Sequence, residues 1–408
     1  MPIDFISLAE KYGTPLYVYD FDAISENYRR LKEAFAGHKS LIAYAVKANS
    51  NLSVLKHLGE LGAGADCVSI GEVRRARTAG IAPYRIIFSG VGKRDDEIEQ
   101  ALREEILMLN LESEAEMERV EAIAKALGEE ARISIRVNPD VDPKTHPYIS
   151  TGLHENKFGV AIETAKRMYI RAKNSEWLDP VGIHFHIGSQ LTELEPIREA
   201  AQIVADLVRS LAAIGVEIRF FDVGGGLGVV YDEETTIDLA QYAETITTAI
   251  RGLDLTIVCE PGRYLVANAG WLLTRVLYEK RNGDKRFVIV DAAMNDLLRP
   301  SLYKAYHRIE PLFDGSDRAE ATPADIVGPI CESGDWLGKE VALPPTRSGD
   351  LLLIHSAGAY GFTMASNYNT RGRSAEVACE GGSCRLIRKR ESFEDQIRLE
   401  KEPLEEER

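Results

Sequence analysis

Cysteine is scarce. Five residues, at positions 67, 259, 331, 379 and 384 of 408, are too few and too scattered for a disulfide framework. Cys379 and Cys384 have no second pair and no nearby histidine, so no zinc site is expected there. Long apolar runs are missing as well: none approaches the ~18 residues of a membrane span. The N-terminus, Met1 to Phe5, lacks a basic stretch leading into an apolar one. A cytoplasmic protein with no membrane partner is expected. Positive charge is in deficit, since 49 Lys and Arg stand against 64 Asp and Glu for a net charge of −15. That excess disfavours nucleic acid and anionic lipid as partners, while a local basic pocket for a small anion remains open. Internal repeats and low-complexity tracts are absent.

What is present is an ordinary globular composition, 45% hydrophobic, in a chain long enough for two domains. Apolar runs at 41–45, 65–68, 85–88, 106–109, 132–137, 181–186, 218–223 and 256–260 read as strands. Between them, 52–61, 98–104, 114–127, 162–172, 195–214 and 237–251 carry apolar residues three and four apart, as helices with one packed face do. Eight strands, each followed by a helix, point to an α/β fold: a closed parallel (β/α)8 TIM-type barrel rather than an open sheet. Past Gly270 the rhythm changes to strands without long helices, at 271–279, 286–291, 341–343, 351–355, 376–379 and 384–390. These predict a C-terminal all-β domain, sandwich- or barrel-like, that takes in the N-terminal strand 16–19. The expected division is a barrel over 25–270 and a β domain of 1–24 with 271–408. Residues 314–325 read as a loop, and the charged end from Glu391 as a solvated helix or frayed tail.

In such a barrel the loops after the strands carry the chemistry. Lys47, Ser89, Asn138, His186, Gly224 to Gly226 and Glu260 all fall there. Lys47 ends an apolar strand, a position where desolvation would favour the neutral amine that a Schiff-base lysine needs. An arbitrary lysine past a strand end is more often a surface charge. Gly224-Gly225-Gly226-Leu227-Gly228 lets backbone N–H groups approach an anion, or simply makes a tight turn. Glu260-Pro261-Gly262-Arg263 supplies a carboxylate and a guanidinium within one turn, or a structural ion pair. His184 and His186 fall on one side of a strand, as two metal ligands would, but no third ligand is evident and no metal is expected. His186 suits packing against a planar ring, and His184 suits a satisfied core histidine. Cys67 and Cys259 end apolar runs and read as core. Cys331 sits in a polar turn, Cys331-Glu332-Ser333-Gly334-Asp335, where a buried structural thiol would be out of place.

Tyr44-Ala-Val-Lys47-Ala-Asn49, His184-Phe-His186-Ile-Gly-Ser189-Gln190, Gly224-Gly-Gly226, Glu260-Pro-Gly-Arg263, Met294-Asn-Asp-Leu-Leu-Arg299-Pro-Ser-Leu-Tyr303, Cys331-Glu332-Ser-Gly-Asp335 and Gly358-Ala-Tyr360-Gly361 occur in that order. Together they resemble the diaminopimelate decarboxylase family, within the pyridoxal-phosphate-dependent alanine racemase/ornithine decarboxylase fold group. The resemblance implies conversion of meso-diaminopimelate to L-lysine and carbon dioxide. It implies pyridoxal phosphate as cofactor, carried as a Schiff base on Lys47 with His186 stacked on the ring. Gly224, Gly225, Gly226, Gly262 and Tyr360, assisted by Ser189, would hold the phosphate. Glu260 would pair with the pyridine nitrogen, where racemases of the group place an arginine. Arg263, Arg299 and Tyr303 would take the distal carboxylate of the substrate, Glu332 its distal ammonium, and Cys331 would return the proton. Arg263 and Tyr360 are shared between the cofactor and substrate sets. Cys331 and Glu332 would reach the site from the other subunit of a homodimer. Asn156-Lys157-Phe158-Gly159, after Thr151, resembles the loop that the family lays across its substrate. The charges suit a diamino-diacid, since arginine forks a carboxylate and a carboxylate pairs an amine.

The rival is a pyridoxal-phosphate decarboxylase of ornithine, arginine or carboxynorspermidine, which Arg299 together with Glu332 disfavours. Further alternatives are a silent cofactor-binding homologue and a metal-dependent barrel hydrolase. Two departures from the family pattern stand out. Ile70 occupies a position usually held by glycine, which would be strained if that backbone needs a positive φ. Gly372 and Ser374 replace common prolines, which is expected only to loosen a turn.

Overall fold

The computed structural model describes residues 3–142 and 157–406. Thr151 and Asn156 of the substrate-loop motif lie outside the described residues. The chain divides into two compact units, residues 25–229 with 234–265, and residues 1–24 with 230–233 and 266–408. Among the described residues no helix is long and apolar enough to cross a membrane.

Strand β1 (Leu16–Asp20) precedes the first unit, whose strands are β2 (Ser40–Ala45), β3 (Gly64–Cys67), β4 (Ile86–Phe88), β5 (Met108–Leu111), β6 (Ala131–Arg136), β7 (Leu178–His184), β8 (Phe220–Asp222) and β9 (Thr256–Cys259). Each pairs in parallel with the next, and β2 also pairs β9, which closes the barrel. Helices cover the outer face while side chains fill the inside, so the strands are buried on both faces and read as near-continuous apolar runs. All four residues of β3 and of β5 are buried. The helix Glu195–Ala213 turns Ile197, Ala200, Ala201, Val204, Leu207, Val208 and Leu211 inward, the spacing that its sequence advertises.

Helix starts follow side-chain chemistry. Asn51 caps Leu52–Glu60 and Ser113 caps Glu114–Leu127, each accepting an otherwise orphaned backbone N–H. The helix Ile70–Thr78, unforeseen in the sequence, resolves the first departure. Ser69 is its cap, Ile70 takes the first helical position, and no positive φ is required there. Glu72 completes the cap by accepting the N–H of Val68 at 2.7 Å.

The second unit is a mixed sheet that confirms the β-domain reading and the recruitment of β1. Its strands are β10 (Gly270–Asn282), β11 (Lys285–Val290), β12 (Ile309–Pro311), β13 (Thr322–Val327), β14 (Trp336–Leu343), β15 (Leu351–Ile354), β16 (Ala375–Glu380) and β17 (Ser383–Arg388). The order is β14-β13-β11-β10-β1-β16-β17, with β15 also on β10 and β12 on β15. β1 runs antiparallel to β10 and parallel to β16. Short helices Phe5–Tyr12 and Arg299–Tyr303 and the terminal helix Phe393–Glu406 interrupt the all-β pattern.

β13 begins inside the stretch read as a loop, because Pro323 and Asp325 mask its apolar content. Cys379 and Cys384, given no role in the sequence, face each other across the β16–β17 hairpin and form a disulfide. Gly372 and Ser374 do more than loosen a turn. A side chain at 372 would lie 2.5 Å from the Glu391 carbonyl oxygen, and the Ser374 hydroxyl donates to Asp296 at 2.6 Å.

Asp296 is 2% exposed, and burial lifts its carboxyl to about 6 against the Ser374 and Ala293 hydrogen bonds that favour its anion. The folded chain therefore keeps this proton up to about pH 6, whereas the unfolded chain releases it near pH 4. The sign follows: the contribution is complete below about pH 4 and is lost as pH rises to about 6, about 3 kcal/mol in all. Asp296→Asn is expected to abolish this slope. Denaturant unfolding of both proteins between pH 4 and 7 should show the variant gaining on the wild type by that order, whereas a pH-independent difference would refute the assignment.

Candidate active site

The barrel unit collects its polar residues at the carboxyl ends of its strands. Lys47 lies in a short 3₁₀ turn, Val46–Ala48, directly after β2. Its side chain is 44% exposed, and Nζ stands 3.6 Å from Oδ2 of Asp66 on β3, a carboxylate 1% exposed. The setting is ionic rather than the desolvated one suggested by the sequence. Ser89, after β4, accepts a hydrogen bond from Asn110 at 3.0 Å. Asn138, after β6, accepts the N–H of Asp140 at 2.9 Å.

His184 ends β7, and His186 lies beyond the strand. His184 is buried, and its Nε2 is 3.3 Å from Oε2 of the buried Glu260. His184, Asp222 and Glu260 each offer a donor atom within 4.8 Å of the others. The ligand set that the sequence could not complete around His184 thus exists as geometry, with two carboxyls supplied by β8 and the end of β9. Burial drives the Asp222 carboxyl well above its ordinary range, and the neighbouring Glu260 charge drives it further. Burial also works against the Glu260 anion, but His184, Lys47 and Asp222 outweigh it and bring that carboxyl to about 2. Glu260 therefore carries the charge and Asp222 the proton. Asp66 is raised by burial, then by Glu260, and is drawn back by Lys47.

The glycine run folds tightly against these groups. The N–H of Gly224 donates to Oδ1 of Asp222 at 2.9 Å, and the N–H of Gly225 to Nδ1 of His186 at 3.2 Å. A Cβ at Gly225 would lie 2.2 Å from the Glu260 carbonyl oxygen, and one at Gly226, whose φ is +106°, would lie 2.4 Å from that of Gly188. Only glycine lets the backbone close here. His186 is held well below its ordinary value by its crowded surroundings and by the charges of Arg136 and Lys47, so it is a neutral ring with the proton on Nε2. Glu260 and Arg263 use different partners: Arg263, 8% exposed, donates to the Ser189 hydroxyl at 3.1 Å. Gly262 packs against Ala45 and Ala48, which seats the Lys47 turn.

The β unit holds the remaining residues. Arg299 and Tyr303 begin and end one helical turn, Arg299–Tyr303. Arg299 is 6% exposed, donates from Nη1 to the Tyr231 hydroxyl at 2.7 Å, and lies 4.7 Å from the centroid of that ring. Cys331 and Glu332 are exposed on their turn. The N–H of Cys331 donates to Asn369 at 2.8 Å. Tyr360 is half-buried in a left-handed conformation, φ 56°.

Several supporting residues have no assigned role in the sequence motifs. Asp335 accepts from the N–H groups of Met294 and Ile330, both at 2.7 Å, and so ties the arginine motif to the cysteine turn. Glu112 pairs with Arg136 at 3.0 Å and accepts from Gly159. Asp66, Asp222 and Tyr231 stand at strand ends or in loops. Their one visible signal was that placement.

The residues fit pyridoxal phosphate. Glu260 is a buried carboxylate held in its ionised form, suited to pair with a ring N–H, and the glycine run is a cradle that a Cβ would fill. An amine, a neutral imidazole and a carboxylate surround this cradle within one unit.

Comparison with known proteins follows the same lines. Residues 21–267 match the family model described as pyridoxal-dependent decarboxylase, pyridoxal binding domain. The chain is 59% identical over 399 residues to the diaminopimelate decarboxylase of Campylobacter jejuni, covering 98% of both chains. It is 51% identical over 395 residues to that of Neisseria meningitidis serogroup B, covering 97% of this chain and 95% of the relative. The crystal structure of the Helicobacter pylori diaminopimelate decarboxylase complexed with L-lysine matches with a TM-score of 0.95 at 57% identity, over 98% of this chain and 100% of that one.

Proposed function

The chain belongs to the pyridoxal-dependent decarboxylase family, and on that premise we propose that it converts meso-diaminopimelate to L-lysine and carbon dioxide in lysine biosynthesis. It is a pyridoxal-phosphate-dependent decarboxylase. The observation that carries the reading is the barrel constellation: an amine on Lys47 beside buried Asp66, a buried and ionised Glu260, and a glycine cradle against them. The substrate assignment is supported by relatives that share more than half of the sequence.

Lys47 would hold the cofactor covalently, His186 would pack its neutral ring on the cofactor face, and Gly224, Gly225, Gly226, Gly262 and Tyr360, with Ser189, would bind the phosphate. When bound, pyridoxal phosphate supplies an electron sink for the pair left behind by departing carbon dioxide. Glu260 would hold a proton on the pyridine nitrogen, which deepens that sink. Asp222 supports this role by carrying a proton beside Glu260 rather than a second charge. Arg263, Arg299 and Tyr303 would bind the distal carboxylate, and Glu332 the distal ammonium. Cys331 would return one proton to the carbon that lost its carboxyl group. We place Cys331 and Glu332 in the site of a second copy, in a cytoplasmic homodimer; their exposure on one chain supports this.

The test is a substrate panel. Purified protein supplied with pyridoxal phosphate is expected to release carbon dioxide from meso-diaminopimelate with kcat/KM at least ~10³-fold above that for L-ornithine or L-arginine, because a buried guanidinium left without its carboxylate is costly. Equal or reversed preference would move the assignment to another decarboxylase of the family.

A further inference from the structure

Arg299 is expected to receive the distal carboxylate, and its own support is the most specific feature of the β unit. Tyr231 meets the guanidinium in two ways: its hydroxyl accepts from Nη1 at 2.7 Å, and its ring centroid lies 4.7 Å from Cζ. One contact lies at the edge of the guanidinium and the other against its carbon. An arginine side chain gives up substantial rotamer freedom when fixed, and two contacts of different direction hold it in advance of the ligand. A phenol oxygen orients the cation through a hydrogen bond, where an aspartate in the same place would compete with an incoming carboxylate.

Tyr231 is itself held. Its ring and that of the buried His307 meet in a T-shaped contact, at a centroid distance of 5.6 Å and an interplanar angle of 77°. His307 Nδ1 bonds the His355 carbonyl oxygen at 2.9 Å, which makes Nδ1 the donor. His355 directly follows β15, which pairs with β10 and β12. On the other side Asn268 donates to the Val230 carbonyl at 3.2 Å. The line from sheet to guanidinium runs through His355, His307 and Tyr231 without a break. The segment Val230–Glu233 follows the glycine run in sequence yet belongs to the β unit.

We propose that Tyr231, braced by His307, is a positioning residue that aims Arg299 and thereby sets selectivity for a ligand with a distal carboxylate. The proposal rests on the reading of Arg299 as the carboxylate-binding arginine. Two ligands separate the effects. meso-Diaminopimelate loses the carboxyl of one centre, and the product L-lysine retains the distal carboxylate. Pentane-1,5-diamine has the same chain with no carboxylate.

The experiment measures kcat and KM for carbon dioxide release from meso-diaminopimelate, and Ki for L-lysine and for pentane-1,5-diamine. The proteins are the wild-type holoenzyme, Tyr231→Phe, Tyr231→Leu and Arg299→Lys. Tyr231→Phe keeps the ring and loses the hydroxyl; KM and the L-lysine Ki are expected to rise about tenfold. Tyr231→Leu loses both contacts and should raise them about 100-fold. In both variants the loss falls on KM more than on kcat, and the diamine Ki moves less than twofold. Arg299→Lys should reproduce the pattern of Tyr231→Leu. If Arg299→Lys raises KM while both Tyr231 variants behave as wild type, the positioning role is wrong. If kcat and both Ki values deteriorate together, Tyr231 is merely structural and the proposal is likewise overturned. If Arg299→Lys itself leaves KM and the L-lysine Ki unchanged, the reading of Arg299 fails and the proposal falls with it.

Discussion

Lys47→Ala is expected to retain its fold and to lose turnover by about four orders of magnitude, about 5.5 kcal/mol in activation free energy. Among the described residues, Lys47 is the amine that stands beside Asp66 on the β2 turn, and the substitution removes it. The fold should survive. The lysine side chain is 44% exposed, so its removal leaves no cavity of consequence. Asp66 loses the cation that stabilises its anion, but burial and Glu260 already favour its protonated form, and it can keep a proton instead of remaining as an uncompensated charge. The measurement is single-turnover carbon dioxide release together with the cofactor absorbance band. The band of the covalently held cofactor should be absent, and far-ultraviolet circular dichroism should match the wild type. A variant with a tenth of wild-type activity would place the covalent attachment elsewhere.

Glu260→Gln is expected to bind cofactor and to lower kcat by about 10²–10³-fold, the range for removing one preorganised charge from a reacting centre. The substitution preserves shape and removes a carboxyl that His184, Lys47 and Asp222 hold near 2, ionised at every working pH. A neutral amide cannot keep the pyridine nitrogen protonated. Two neighbours would change with it. Asp222 is raised by burial first and by the Glu260 charge next, so its carboxyl should ionise more readily in the variant. His184 would lose the carboxylate 3.3 Å away. Stopped-flow absorbance during turnover and kcat measured across pH check the expectation. Because His184, Lys47 and Asp222 favour the Glu260 anion, the acid limb of the wild-type profile is expected from another group. Unchanged kcat in the variant would remove Glu260 from the pyridine site.

The barrel was legible because its strands are buried on both faces. Leu41 to Ala45 and Thr256 to Cys259 are apolar without alternation, and each reappears as a strand within a residue or two of its expected bounds. Helices with a clean apolar face, such as Glu114–Leu127, were equally plain. Ile70–Thr78 was missed because Glu72, Arg74, Arg75 and Arg77 dilute the pattern around its buried Ile70, Val73 and Ala76. β13 was missed for a similar reason, with only Ala324 to Ile326 buried in a strand that carries Pro323 and Asp325.

Motifs name candidate site residues one by one, but not the relations between them. The electrostatic division between Asp222 and Glu260 arises from β8 lying beside β9, a tertiary fact. The disulfide appears only when the β16–β17 register is known. Tyr231 and Arg299 lie 68 positions apart, and nothing local to either one names the other.

The most direct test is chemical. The holoenzyme is reduced with borohydride, digested and mapped by mass spectrometry, with and without prior addition of meso-diaminopimelate. A phosphopyridoxyl group on the peptide containing Lys47, displaced by meso-diaminopimelate and not by L-ornithine, is the expected result, and it would establish the cofactor, its lysine and the substrate in one sample. Label on a different lysine, or label on Lys47 that meso-diaminopimelate does not displace, would contradict the assignment.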